Sequence, residues 1–102
     1  MASEQALQKQ ILNYLDSIGA WTVKTITTNK NGTCDILACL PNGRFCGIEV
    51  KRPGMLRNVS KIQQYQIDKI NGAGGIAFAA DSLEAVKKVI HDEAFNVGDE
   101  SL

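Results

Sequence analysis

Apolar residues recur along the chain at two different spacings, and the spacing changes mark the elements. Leu7, Ile11, Tyr14, Leu15 and Ile18 fall at helical offsets, with Ser3 placed to cap and Gly19 to stop, so a helix is predicted over 4–18. Residues 21–28 are rich in β-branched side chains and read as a strand. Asn29 to Gly32 is turn chemistry, and 35–40 is a second strand. Pro41-Asn42-Gly43 makes a tight hairpin into a third strand over 44–51, antiparallel to the second. Pro53-Gly54 breaks that strand into a loop, and Ser60 opens a second helix reaching about Asn71, with Ile62, Tyr65, Ile67 and Ile70 as its apolar positions. Gly72, Gly74 and Gly75 end it. The run Ile76–Ala80 is wholly apolar and suits the interior of a sheet. Asp81 and Glu84 have capping-box spacing for a third helix whose buried stripe is Leu83, Val86, Val89 and Ile90. The order α-β-β-β-α-β-α predicts an α/β (α+β) fold with one mixed sheet and helices packed on it.

Length sharpens this to one domain spanning 1–102, with a polar tail from about 96. Hydrophobic residues at 44% and charged residues at 22% describe a folded chain, not a disordered one. No apolar run approaches the ~18–20 residues of a membrane span, and the polar start carries no secretory signal, so a soluble intracellular protein is expected. Cys34, Cys39 and Cys46 include no C-x-x-C pair, and His91 is the lone histidine. The three cysteines read as small buried hydrophobes in a reducing compartment, with neither a disulfide framework nor a zinc site expected.

Charge adds a pattern that the total conceals. Eleven basic residues balance eleven acidic ones, which taken alone argues against a nucleic-acid binder. Yet the segment 24–61 sets Lys24, Lys30, Arg44, Lys51, Arg52, Arg57 and Lys61 against only Asp35 and Glu49, a net of +5 between flanks of −1 and −4. The two acids embedded in this basic stretch are the candidate chemistry. Side chains alternate along a strand, so Glu49 and Lys51 share one face, ~6.6 Å apart. Asp35 and Glu49 each stand seven residues from Asn42 at the hairpin turn, which sets them opposite each other. Two close carboxylates are costly unless neutralised. A hard cation such as Mg²⁺ does that, with the Val50 carbonyl as a third protein ligand. Such an ion acidifies a water and polarises a phosphoryl oxygen, and Lys51 then holds that water or steadies the charge on the phosphate. The set is suited to phosphodiester hydrolysis.

Asp35 followed by Glu49-Val50-Lys51 resembles the D-(x)n-E-x-K signature of the PD-(D/E)XK nuclease superfamily. The wider run resembles the small stand-alone VRR-NUC domains of phage and bacterial type. It comprises Glu4 in the first helix, Gly32-Thr33-Cys34-Asp35-Ile36, Gly47-Ile48-Glu49-Val50-Lys51, Ser60-x-x-Gln63 and Gly74-Gly75. The likeness covers roughly residues 4–90, and it departs from the family pattern at Cys34, where a Pro is usual. It implies a restriction-endonuclease-like core and DNA cleavage dependent on Mg²⁺ or Mn²⁺. It also implies a homodimer acting on branched DNA such as four-way (Holliday) junctions, in the cytoplasm of a bacterial cell or phage-infected host. It places Gln63 in the active site near Lys51, and has Glu4 join the metal site through water.

Each residue also has a plainer role. Asp35 can be a strand-edge acid, and Glu49 with Lys51 a cross-strand ion pair. Gln63 completes an S-x-x-Q capping box, and Glu4 is a favourable charge at a helix N-terminus. Lys24, Lys30, Arg52, Arg57 and Lys61 are either solvated or set to contact a phosphate backbone. Tyr14, Tyr65 and Trp21 read as core or interface. A metal-dependent DNA endonuclease leads. The alternatives are a non-catalytic nucleic-acid-binding or assembly module on the same fold, and a nuclease acting on RNA.

Overall fold

The computed structural model describes residues 3–95; the polar tail expected from about 96 lies outside them. The elements run α1 Glu4–Ser17, β1 Trp21–Lys24, β2 Ile36–Cys39, β3 Phe45–Val50, a short 3-10 turn Leu56–Asn58, α2 Lys61–Gly72, β4 Ile76–Ala80 and α3 Leu83–Phe95. The sheet order is β1-β2-β3-β4. The first three strands are antiparallel, and β4 lies parallel to β3. This is the predicted order of elements and the predicted mixed sheet.

Ile36, Ala38, Cys46, Ile48, Val50 and Ala80 on the sheet pack with Leu7, Ile11 and Leu15 of α1 and Val86 and Ile90 of α3. Burying each such branched side chain contributes roughly 1.5–3 kcal/mol. A smaller cluster of Cys34, Ile67 and Ala77, with Leu37, Val59, Ile70 and Ala79 around it, holds α2 on the opposite face. Glycines set that approach. A Cβ on Gly47 would stand 3.0 Å from the Ile70 side chain, and one on Gly75 would stand 2.8 Å from it and 3.0 Å from the Phe45 carbonyl.

Several expectations are corrected. The first strand ends at Lys24, not at residue 28. Thr25 still donates its N–H to the Asp35 carbonyl at 2.8 Å, but Ile26 beyond it is 92% exposed, so nothing holds the chain to the sheet there. The apolar strand β4 is an edge strand, not an interior one. It is apolar because helices cover both its faces, and the Asn71 amide satisfies its outer edge: Oδ1 accepts from Ala77 N at 2.8 Å and Nδ2 donates to Ala77 O at 3.0 Å. The cap of α3 is Ser82, whose Oγ accepts from Ala85 N, while Asp81 accepts from Gly54 N at 3.1 Å and so tethers the β3–α2 loop. Cys39 is exposed, unlike Cys34 and Cys46. Of the three aromatics expected in core or interface, Trp21 and Tyr65 are outside the core, at 69% and 55% exposed, and Tyr14 is half-buried. Among the described residues no helix is long and apolar enough to cross a membrane.

Candidate active site

The hairpin register fixes the site. Ile36 pairs with Ile48, so the next step outward sets Asp35 against Glu49. Asp35 leaves the ladder at this point, and its carboxylate takes over from a backbone group: Oδ2 accepts from Val50 N at 2.8 Å. Its own carbonyl accepts from Thr25 N, which fixes the residue from both neighbouring strands.

Glu49 is the unusual group. It is 2% exposed, and Oε1 is buried without a hydrogen-bond partner. Oε2 accepts from Gln63 Nε2 at 3.0 Å, and Lys51 Nζ lies 3.7 Å away. Burial, with the Asp35 charge beside it and a hydrogen bond that the protonated Glu49 donates to the Asp35 carboxylate, pushes the Glu49 carboxyl up to about 8; Lys51 opposes the rise, and Glu4 adds slightly to it. Lys51 leaves β3 with its N–H bonded to the Ala80 carbonyl at 2.9 Å, which holds the strand end against β4.

Gln63 fills both roles left open by the sequence. Its Oε1 accepts from Ser60 N at 2.9 Å while Ser60 Oγ accepts from Gln63 N, closing the capping box of α2. Its Nε2 is thereby aimed at Glu49. One amide ties the start of α2 to the buried carboxylate.

The structure therefore brings Asp35, Glu49, Val50, Lys51 and Gln63 together. Glu4 acts on Glu49 only through its charge, from the first turn of α1. Among the described residues no group of three or more His, Cys, Asp or Glu side chains is gathered for a metal ion. Lys24, Lys30, Arg52, Arg57 and Lys61 are all exposed, as phosphate contacts require, without forming one cluster of ion pairs. Arg44, also in the basic segment, is committed to structure through Glu93 and the Gly74 and Gly75 carbonyls.

Two features escaped the sequence reading. Gln8, one turn beyond Glu4, is 7% exposed with a buried unpartnered Oε1, and its place on the α1 periodicity beside Leu7 was the available signal. Cys34 packs against Gly47 in the cluster with Ile67 and Ala77; burial first, then the Glu49 and Asp35 charges, push its thiol up to about 12. A thiol raised this far is held in its protonated form at neutral pH.

The helix-flanked mixed sheet, with an acid-bearing hairpin at one end, defines a restriction-endonuclease-like fold. Within that class the chain has the VRR-NUC fold. A solved "VRR_NUC domain" superposes with a TM-score of 0.74 at 23% identity, over 88% of this chain and 97% of that one. A "VRR_NUC domain protein" superposes with a TM-score of 0.71 at 18% identity, over 89% and 87%. No family model matches the sequence, and no curated protein does.

Proposed function

We propose that this chain is a divalent-metal-dependent DNA endonuclease of the VRR-NUC family, selective for branched DNA such as four-way junctions and working as a homodimer. The observation that carries the reading is Glu49: a carboxylate buried beside a second one, with one oxygen left without a partner. Such an arrangement is costly in a structural role and useful in a site that receives a cation. The donors fit Mg²⁺ or Mn²⁺. They are hard oxygens from Asp35 and Glu49, with the Val50 carbonyl between Glu49 and Lys51, and the small protein set leaves positions for water, as Mg²⁺ prefers. When bound, the cation supplies Lewis acidity toward a phosphoryl oxygen and acidifies a water.

The remaining work falls to the chain itself. Asp35 is held in line by the Val50 N–H. Gln63 holds Glu49 through Oε2 and leaves the buried Oε1 without a hydrogen-bond partner. Lys51, 3.7 Å from that carboxylate, places a positive charge where charge builds on the phosphate. Arg52, Arg57 and Lys61 follow the site directly in the chain and are exposed, as contacts to a DNA backbone need. The homodimer is supported by Trp21 and Val23, apolar and exposed on the edge strand β1, and a two-fold axis matches paired cuts in a four-way junction.

The test is cleavage of linear duplex, single strand, flap and four-way junction in Mg²⁺ or Mn²⁺. Glu49→Ala and Lys51→Ala are each expected to lower cutting by at least ~100-fold. Circular dichroism should show both variants folded. Metal-dependent cutting retained by both would overturn the reading.

A further inference from the structure

Away from the carboxylates, the α2 face of the sheet holds a second feature. Between α2 and the loop before β2 lies a pocket of about 420 Å³, within the ~300–1,000 Å³ usual for small-ligand sites. Its floor and walls are Leu37, Phe45 and Ile70, and Lys30 and Lys69 stand at its rim. Phe45 is 47% exposed, although it begins the central strand β3. Both lysines are exposed, and neither makes an ion pair among the described residues. An apolar aromatic floor under two free cations is complementary to a ligand with a flat apolar face and an anionic group. A paired duplex presents only its backbone and groove edges to such a hollow. An unpaired nucleotide presents a π-face and a phosphate together.

We infer that this pocket binds one unpaired nucleotide of the DNA substrate, its base stacked on Phe45 and its phosphate at Lys30 and Lys69. The inference rests on the nucleic-acid reading above and deepens it. Leu37 is two residues along β2 from Asp35, and Phe45 is four along β3 from Glu49, so the pocket floor lies ~7–13 Å from the carboxylates on the same sheet face. A strand anchored there runs toward Glu49. The pocket thereby gives a physical reason for preferring DNA with an unpaired base near the cut over continuous duplex.

The test uses duplexes with and without a single-stranded arm, carrying 2-aminopurine at successive arm positions, in metal-free buffer. Wild type is expected to bind the armed duplex about tenfold tighter than the blunt one, with quenching at one arm position. Phe45→Ala should abolish the quench and narrow that difference. The Lys30→Ala/Lys69→Ala double variant, altered only at exposed positions, should lower the salt slope of armed-duplex binding by about one. Three results would overturn the pocket while leaving the nuclease reading intact: a quench and preference unchanged in both variants, free dAMP binding as tightly as the armed strand, or Phe45→Ala converting a dimer to a monomer in sedimentation. If wild type binds neither duplex and cuts neither in Mg²⁺ or Mn²⁺, the nucleic-acid reading fails with it.

Discussion

A buried carboxyl held at about 8 makes the cation-free protein sensitive to alkali at Glu49. Its ordinary value is 4.5, so between those limits the folded state keeps a proton that the unfolded chain has released. The contribution to stability is complete below about 4.5 and is lost as pH rises toward 8. Thermal melts in EDTA should therefore show the melting temperature of wild type falling between pH 5 and pH 8. Glu49→Gln, which keeps the shape and removes the titration, should melt higher at pH 8 and show a flatter profile. Added Mn²⁺ should raise the wild-type melting temperature more at pH 8 than at pH 5, since the ion competes with the proton. Equal shifts at both pH values would argue against a cation at this carboxylate. At Gly32 the constraint is steric. The residue has φ +80°, and a Cβ would lie 2.7 Å from the Ile62 carbonyl oxygen. Gly32→Ala should lower stability by about 1–3 kcal/mol in urea unfolding, by straining the loop that leads into Asp35.

Among the elements, α2 links stability to the site through a single side chain. Ser60→Ala removes one half of the capping box and should cost about 1 kcal/mol in denaturant unfolding. Gln63→Glu is more informative. It keeps an acceptor for Ser60 N but replaces the amide donor to Glu49 with a third carboxylate, so it should fold and lose cleavage. Cleavage at the wild-type rate by Gln63→Glu would reduce Gln63 to a cap. Much of this level was legible beforehand. Counting residues from the Asn42 turn set Asp35 against Glu49, because a tight hairpin leaves one register. Ser60 and Gln63 announced the helix start by spacing alone. Periodicity could not show where pairing stops. Residues 26–28 carry strand-like side chains but have no partner strand, since β2 starts at Ile36 and the pairing with the first strand runs out at the Thr25 N–H to Asp35 carbonyl bond. Nor could composition distinguish an interior strand from an edge strand covered on both faces, as at β4. The orphaned oxygens of Gln8 and Glu49 depend on tertiary packing, which a single sequence does not display.

At the scale of the whole molecule, the zero net charge is a cancellation between a basic middle and acidic flanks. The structure spends Arg44 on Glu93 and leaves the candidate phosphate contacts in solvent. DNA affinity should accordingly fall with added salt, with a slope of ~0.9 per phosphate contacted on duplex. The proposed homodimer gives a second expectation. Trp21→Glu puts a charge on the exposed face of β1 and should shift sedimentation at micromolar protein from dimer to monomer, with the monomer still folded. A dimer undisturbed by Trp21→Glu would move the interface elsewhere.

The loop between β3 and α2 is exposed at Arg52 and Arg57, Lys61 is exposed where α2 begins, and the 3-10 turn Leu56–Asn58 is the loop's only regular element. Gly54 is tied to Asp81, and short turns join Arg52 to Met55 and Met55 to Asn58. Trypsin cuts after arginine and lysine except before proline, which spares the Arg52–Pro53 bond, so mild digestion of the native protein should nick this stretch early at Arg57 and Lys61. The nick would sever the chain between Lys51 and Gln63, separating two halves of one site while the sheet still holds them side by side. DNA seated as proposed would shield the same bonds. The rate of nicking would then serve as a footprint of substrate occupancy, readable on a gel without cleavage of the DNA.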